Sequence, residues 1–331
     1  MTTPRCVPTD YIDFLIATPR VYSLLEAGRV QLPDPFAPAH DAFTRLLQRL
    51  EPDPTTLWNE VAPLIERKQG VLVLDDSTLD KPYAHKIALV NHHWSGKHHA
   101  VVNGINLISV VWTDGDRLYP VDYRLYDRAG DGLTKNDHFR NMLETAFARG
   151  FQPSCVLFDG WYAGLDNLKK VREYHWTFLT RLKSNRLVNQ DRTKNRPVGT
   201  WPIAATGTVV HLSGFGLVKV FRIVGRDGEI EHWATNDLAM EELGRLAFAE
   251  QSWAVEEYHR GIKQFCGVER CQVRSAKGQR NHIGSSLRAF VRLEYHRFTT
   301  GVSWFATKFE IIRSAVRAYL VDPLYKLPES A

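Results

Sequence analysis

The stretch Gly70-VLVL-Asp75-Asp76 decides the fold class. Its run of four Val and Leu residues predicts a strand buried on both faces, and two carboxylates follow directly. A second short apolar segment, 154–158, also ends at an acid, Asp159. Strands buried on both faces need helices packed against them. The sequence therefore predicts an α/β fold in which a mixed sheet is flanked by helices.

The segments around these two strands complete the predicted sheet and its helices. In chain order they are a hairpin at 101–112 and 118–125, a helix at 134–149 capped by Thr134, a helix at 165–174, a strand at 175–182, alternating strands in 183–236, and one long helix at 240–264. The short amphipathic helices before residue 66 predict a helical N-terminal region.

These patterns predict five regions along the chain. They are a helical N-terminal region at 1–66 that is a candidate for DNA binding, the first part of the core at 67–183, a β-rich insertion at 184–238, the last core helix at 239–284, and a helical C-terminal region at 285–331.

Positive charge is concentrated in two stretches. Residues 181–226 contain nine Lys and Arg against one acid, and residues 251–320 contain twelve against five, whereas the whole chain carries only +5. Clustered cations gain affinity for polyanions because counterions are released from phosphates. The segregation therefore favours a nucleic-acid partner, although solvated faces of basic helices would give the same counts.

The acids at the strand ends indicate a cation site. A carboxylate at the end of a buried strand is costly to desolvate unless a cation neutralises it. Mg²⁺ takes oxygen ligands and commonly shares them with substrate phosphates. Asp76 and Asp159 with one more acid could hold a pair of ions for displacement at phosphorus. Because neighbouring strand residues face opposite sides, only one of Asp75 and Asp76 can point into such a site.

The third acid is expected in Trp253-AVEEYHRGIKQ. On a helix, Glu256 and Lys263 differ by only about 20° in direction, and His259 and Arg260 fall on the same side. Such a helix would present an acid with basic neighbours, which suits a nuclease. An ordinary amphipathic helix with ion pairs one turn apart remains the alternative.

Three motifs together resemble a known family. Leu74-DDSTLDKP, Leu157-FDGWYAGLDNLKKV and Trp253-AVEEYHRGIKQ look like the acidic motifs of bacterial insertion-sequence DDE transposases, in the branch with a Tyr-Arg-Glu-Lys third motif. Asn103-GINLIS, Thr134-KNDHFR, Thr180-RLKSNR and Gln279-RNHI also match, in the same order. The resemblance implies an RNase H-like core with a β-rich insertion before the last catalytic helix.

The same resemblance implies the chemistry and its residues. Asp76, Asp159 and Glu256 are implied to be the catalytic and metal-binding acids, with Asp76 preferred over Asp75 because Ser77 and Thr78 follow it. Mg²⁺, or Mn²⁺ in its place, is the implied cofactor. Lys263 is implied to contact DNA phosphate. The helix face and the basic stretch add the other expected DNA contacts, which are His259, Arg260, Lys183, Arg186 and the base-stacking Trp161.

The third motif departs from the family pattern at two positions. Ser252 stands where the signature has Arg, and Ala249 where it has Tyr. Arg260 or Arg245 would have to replace the missing phosphate clamp. These departures keep a second hypothesis open, namely a catalytically inactive DNA-binding protein derived from a transposase.

Two other enzyme classes find less support. His92-His93 and His98-His99 could indicate a zinc hydrolase, but neighbouring strand residues face apart and no acid stands at a convincing ligand spacing. A serine hydrolase of the nucleophile-elbow type would need a G-x-S-x-G motif, which the sequence lacks.

The expected partners follow from the resemblance and the charge. They are double-stranded DNA, both element ends and target, and a second copy of the chain, since two ends must be joined. No secretion signal, cysteine framework or membrane-length apolar run is visible. The expected location is cytoplasmic and nucleoid-associated, with no membrane partner.

Overall fold

A computed structural model describes residues 5–95, 99–191, 194–225 and 228–321. The helices are α1 (Pro8–Ala17), α2 (Leu24–Arg29), α3 (His40–Arg49), α4 (Pro54–Val61), α5 (Arg128–Asp131), α6 (Lys135–Ala148), α7 (Leu165–Glu173), α8 (Glu242–Ser252), α9 (Ala254–Phe265), α10 (Ala276–Thr300) and α11 (Trp304–Val321). The strands are β1 (Val71–Asp80), β2 (Asn91–Ser95), β3 (Ala100–Thr113), β4 (Leu118–Leu125), β5 (Cys155–Phe158), β6 (Phe178–Leu182), β7 (Leu187–Asn189), β8 (Arg196–Pro197), β9 (Thr208–Leu212), β10 (Gly216–Val224) and β11 (Ile230–Thr235).

Within these described residues the strands form one mixed sheet. Its order is β2-β3-β1-β5-β6-β11-β10-β9-β7-β8, and β4 pairs with β3. Only β1 with β5 and β5 with β6 run parallel; the other pairs are antiparallel. The predicted mixed sheet flanked by helices is confirmed. The β-rich insertion lengthens this sheet, because β11 pairs directly with β6.

The described chain divides into two compact units. The sheet unit comprises 54–84 and 89–259, and the helical unit comprises the described parts of 1–53, 85–88 and 260–331. The five predicted regions remain predictions beside this division. Helix α4 belongs to the sheet unit, where it packs on β4, and the predicted boundary after residue 284 falls inside the continuous helix α10.

Local signals explain where several elements begin and end. Thr134 caps α6: its hydroxyl accepts the amide of Asp137, and the Asp137 carboxylate accepts the amide of Thr134 in return. The predicted helix at 240–264 is instead two helices. The amide of Trp253 bonds the carbonyl of Glu250, three residues back, so the ladder tightens and α8 ends before α9 begins.

Each of the two units has a core of buried side chains. In the sheet unit, the large side chains of Trp112, Tyr119, Phe139 and Phe178 are fully buried. In the helical unit, the hydroxyl of Tyr11 bonds His282 at 2.8 Å between α1 and α10. No described helix is both long enough and apolar enough to cross a bilayer.

Candidate active site

The first two acids lie side by side on adjacent parallel strands: Asp75 lies within β1, which continues to Asp80, and Asp159 directly follows the end of β5. In the β1–β5 pair, Leu74 lies opposite Phe158, which is the last paired position. Asp75 and Asp159 are the next residues after this pair. Because Leu74 and Phe158 are paired in register, the next residues on the two strands lie close together.

A cavity of about 230 Å³ opens beside these two acids, within the sheet unit. Asp75 and Asp159 line it, and so does Glu256 from the first turn of α9. Its other lining residues are Val73, Leu74, Leu157, Phe158, Leu179, Arg181, Trp233, Ser252, Trp253 and Val255. Three carboxylates from three separate segments therefore share one partly apolar cavity.

The electrostatics of this cavity disfavour free negative charge. Burial raises the pKa of Asp75 well above its ordinary value, and the charges of Asp76, Asp159 and Glu256 raise it further. Asp159 is exposed as a residue, yet burial of its carboxyl group and the charge of Asp76 raise its pKa too. An added cation would relieve both effects.

Asp76 lies outside this cavity, on the opposite face of β1. Its carboxylate accepts hydrogen bonds from Asn106 at 2.6 Å, Lys135 at 2.8 Å and the hydroxyl of Tyr162 at 2.7 Å. Burial opposes ionisation, but Lys135 and the hydrogen bonds hold the pKa of Asp76 below its ordinary value. The preference for Asp76 stays a prediction, and the lining of the cavity favours Asp75 in its place, beside Asp159 and Glu256. The side-chain alternation of a strand is the physical reason.

Cations and aromatic rings surround the cavity. Arg181 lines it and pairs with Glu231 at 3.0 Å. Trp253 lines it and is 65% exposed, and Trp161, two residues after Asp159, is 59% exposed. The Lys183 ammonium lies 5.6 Å from the centre of the Trp161 ring. Exposed indole rings beside a cation are suited to binding a nucleic-acid strand.

The remaining predicted DNA contacts are placed unevenly. Arg260 is exposed, and Lys263 forms an ion pair with Glu269 at 3.5 Å; both belong to the helical unit. Arg186 is half-buried, and desolvation lowers its pKa. His259 is only 5% exposed. The expectation that His259 faces outward with Arg260 is wrong, because the buried face of α9 includes it.

The departures in the third motif also have a structural outcome. The hydroxyl of Ser252 donates to the carbonyl of Ala249 at 2.6 Å, which closes the end of α8. Arg245 is only 4% exposed, so it is unsuited to replacing the missing phosphate clamp. Of the two candidate substitutes, only Arg260 is at the surface.

The donor chemistry of the cavity fits a hard divalent cation. All three acids offer carboxylate oxygens, which Mg²⁺ and Mn²⁺ prefer. Within the described residues, however, no three His, Cys, Asp or Glu side chains are close enough together to hold a metal ion. His92, His93 and His99 are described and belong to no such group, while His98 lies outside the described residues.

Four residues near the acids were not among the site residues predicted from the sequence. Arg181 lines the cavity, while Asn106, Lys135 and Tyr162 bind Asp76. All four lie inside segments that matched the family pattern. Their motifs were therefore visible, but the contacts with Asp76 and the lining of the cavity required the fold.

Comparisons with known proteins concern the family and the fold of this chain. The family described as "Transposase DDE domain" matches residues 66–291, more than half of the chain. None of the curated proteins matches. Among solved structures, the chain is similar to the piggyBac transposase in a synaptic complex with hairpin DNA, at 13% identity and a TM-score of 0.50, over 98% of this chain and 76% of that chain. It is also similar to the Drosophila P element transposase in a strand transfer complex, at 9% identity and a TM-score of 0.30, over 98% and 88%. At such identities the first likeness shows a shared fold alone, and the second is too weak to support an argument.

Proposed function

This chain belongs to the Transposase DDE domain family, and on that premise we propose that it is the transposase of a bacterial insertion sequence. It cuts phosphodiester bonds at the ends of the element and joins the released ends to target DNA. The observation that carries this proposal is the convergence of Asp75, Asp159 and Glu256 on one cavity.

Asp75, Asp159 and Glu256 are the residues that would hold the divalent cations, and their carboxylates would have to draw closer together than they lie in this structure. When bound, such cations lower the pKa of an attacking water and neutralise charge on the leaving 3′ oxygen. The protein supplies the carboxylate oxygens and fixes their positions within β1, directly after β5 and in the first turn of α9. Hydrolysis releases a 3′-OH at the element end, and this hydroxyl then attacks a phosphodiester of the target.

The DNA path in this proposal runs beside the cavity. Lys183 and Trp161 together offer a cation and a ring face to a strand near Asp159. Arg181, at the cavity wall, neutralises a phosphate that approaches the acids. Arg260 and Lys263 supply further phosphate contacts from the helical unit.

The test is a cleavage assay on a duplex that carries the inverted repeats flanking the reading frame. We expect strand cuts at the repeat ends with Mg²⁺ or Mn²⁺ and none with EDTA. Ser252 and Ala249 at the signature positions favour a second candidate, the inactive DNA-binding descendant. A mobility shift of the same duplex without cleavage in either metal would establish that second function.

Arg260 gives a prediction about DNA affinity. Replacing Arg260 by Ala should reduce the slope of log K against log salt by about one, because one phosphate contact is lost. Lys263→Ala should act in the same direction. Arg29→Ala is the matched control, since Arg29 is an exposed arginine on α2 of the same unit. Fluorescence anisotropy across a salt series measures the slope, and an unchanged slope in both variants contradicts these contacts.

The proposal includes a homodimer, and α11 offers the surface for it. Its apolar residues recur at intervals of four and three, which is the spacing of a coiled-coil seam: Phe305, Phe309, Ile312, Val316 and Tyr319. Beyond Lys308, none of the described residues of α11 is buried. A second copy of the same helix matches this stripe in length and spacing.

Val316→Asp tests this surface. Burying an unpaired carboxylate at the seam should weaken self-association by at least about 100-fold. Ser314→Asp places the same charge on the opposite side of α11 and should leave association unchanged. Sedimentation equilibrium measures both variants. A wild-type protein that stays monomeric with and without DNA rejects the dimer, and equal behaviour of the two variants rejects this interface.

A further inference from the structure

Asp76 connects β1 to three other elements of the sheet unit. Its carboxylate accepts from Asn106 on β3, from Lys135 in the first turn of α6, and from Tyr162 in the loop after β5. Asn106 and Tyr162 are fully buried, and the Asp76 and Lys135 side chains are about one-fifth exposed. These three partners all donate, so the carboxylate is well satisfied as an anion.

Tyr162 is the link between this network and the cavity. While its hydroxyl donates to Asp76, its backbone amide points to Asp159, with the Asp159 carboxylate oxygen 3.4 Å away and the Asp159 carbonyl 3.2 Å away. The amide of Trp161 donates to the same carboxylate oxygen at 3.0 Å. The turn at 159–162 is thus held in two ways: its backbone amides bond Asp159, and the Tyr162 hydroxyl bonds Asp76.

The same turn is held from α6 and α7 as well. The Tyr162 ring stacks on Phe139 with the ring centres 5.1 Å apart. The Tyr162 carbonyl accepts the side-chain amide of Asn167 at 2.9 Å, and Asn167 accepts from Arg140 at 3.0 Å. With its ring, hydroxyl and carbonyl all fixed, Tyr162 has little freedom to move its amide away from Asp159.

We propose that Asp76 is a positioning residue which, through the Tyr162 hydroxyl, fixes the turn that presents the Asp159 carboxylate to the cavity. The two adjacent carboxylates of β1 thereby have separate roles. Asp75 lines the cavity, and Asp76 accepts the hydroxyl of Tyr162 and so holds the turn that carries Asp159. Groups that orient a metal-binding carboxylate commonly change metal affinity by about 10–100-fold when they are removed. This inference rests on the proposed function, because it concerns the presentation of one of the proposed metal-binding acids.

Tyr162→Phe tests the link with the loss of a single hydroxyl. Without metal, we expect the amides of Trp161 and Tyr162 to exchange hydrogen about ten-fold faster, which corresponds to the loss of one hydrogen bond. Mn²⁺ alone, titrated into DNA-free protein and followed by electron paramagnetic resonance, should bind about ten-fold more weakly. In the cleavage assay, half-saturation should move to higher Mn²⁺ while kcat at saturating Mn²⁺ stays within about two-fold. Tyr174→Phe, at the end of α7, is the matched control.

Asp76→Asn is the second variant, and the pair separates the outcomes. We expect it to shift amide exchange and Mn²⁺ affinity in the same direction as Tyr162→Phe. If Asp76→Asn weakens Mn²⁺ binding while Tyr162→Phe leaves exchange and affinity unchanged, Asp76 is itself a metal ligand and the positioning role is overturned. If the wild-type protein neither binds Mn²⁺ nor cleaves DNA, the proposed function fails. The amide exchange still decides whether Asp76 holds the turn.

Discussion

Glu256→Gln should lower the rate of DNA cleavage by about 1000-fold or more, on the scale reported for losing a charge-stabilising group in phosphoryl transfer. The substitution keeps the shape of the side chain and removes one negative charge from the cavity. Because Glu256 is exposed, the free energy of unfolding should change by less than about 0.5 kcal/mol. A gel-based cleavage assay with Mg²⁺ and Mn²⁺ measures the rate.

Glu257→Gln is the matched control for this variant. Glu257 lies next along α9, about 100° around the helix, and is not among the residues that line the cavity. Its cleavage rate should remain within about three-fold of the wild type. DNA retention without metal should be unchanged in both variants. Equal loss of cleavage in the two would show that the charge of α9 matters and that the identity of the cavity acid does not.

The sequence was most informative where one physical signal acted alone. The Val-Leu run before Asp75 predicted β1, the turn at 114–116 predicted the hairpin of β3 and β4, and Thr134 predicted the start of α6. Each of these signals depends on neighbours within a few residues. The family pattern then placed Asp159 and Glu256 at the positions whose side chains line the cavity.

Other features depended on contacts that are distant along the chain. The choice between Asp75 and Asp76 depends on which face of β1 meets α8 and α9, and a hydroxyl-bearing neighbour such as Ser77 does not encode that. His259 was placed on the exposed side by helical geometry alone, whereas packing buries it. The break at Trp253 arises from a local tightening of hydrogen bonds inside a pattern that is otherwise continuous.

Asp75→Asn should also have a large effect on cleavage, because Asp75 lines the cavity whereas the adjacent Asp76 lies on the opposite face of β1. Loss of the Asp75 carboxylate should reduce cleavage by about 1000-fold or more at every Mn²⁺ concentration. Asp76→Asn should instead leave cleavage that recovers as Mn²⁺ rises, since Asp76 acts through Tyr162. The pair of dose curves therefore distinguishes a residue in the cavity from one that supports it.

Asp75→Asn should also stabilise the metal-free protein. Burial and the neighbouring acids raise the pKa of Asp75 in the folded state, so its ionised form costs stability at pH 7. The amide has no such cost, so the Tm should rise at pH 7. The gain should shrink as the pH falls and disappear below about 3, where the acid is protonated in both states. A Tm that falls at pH 7, measured by calorimetry in EDTA, would mean that the Asp75 carboxylate stabilises the fold and would remove the electrostatic reason for placing a cation beside it.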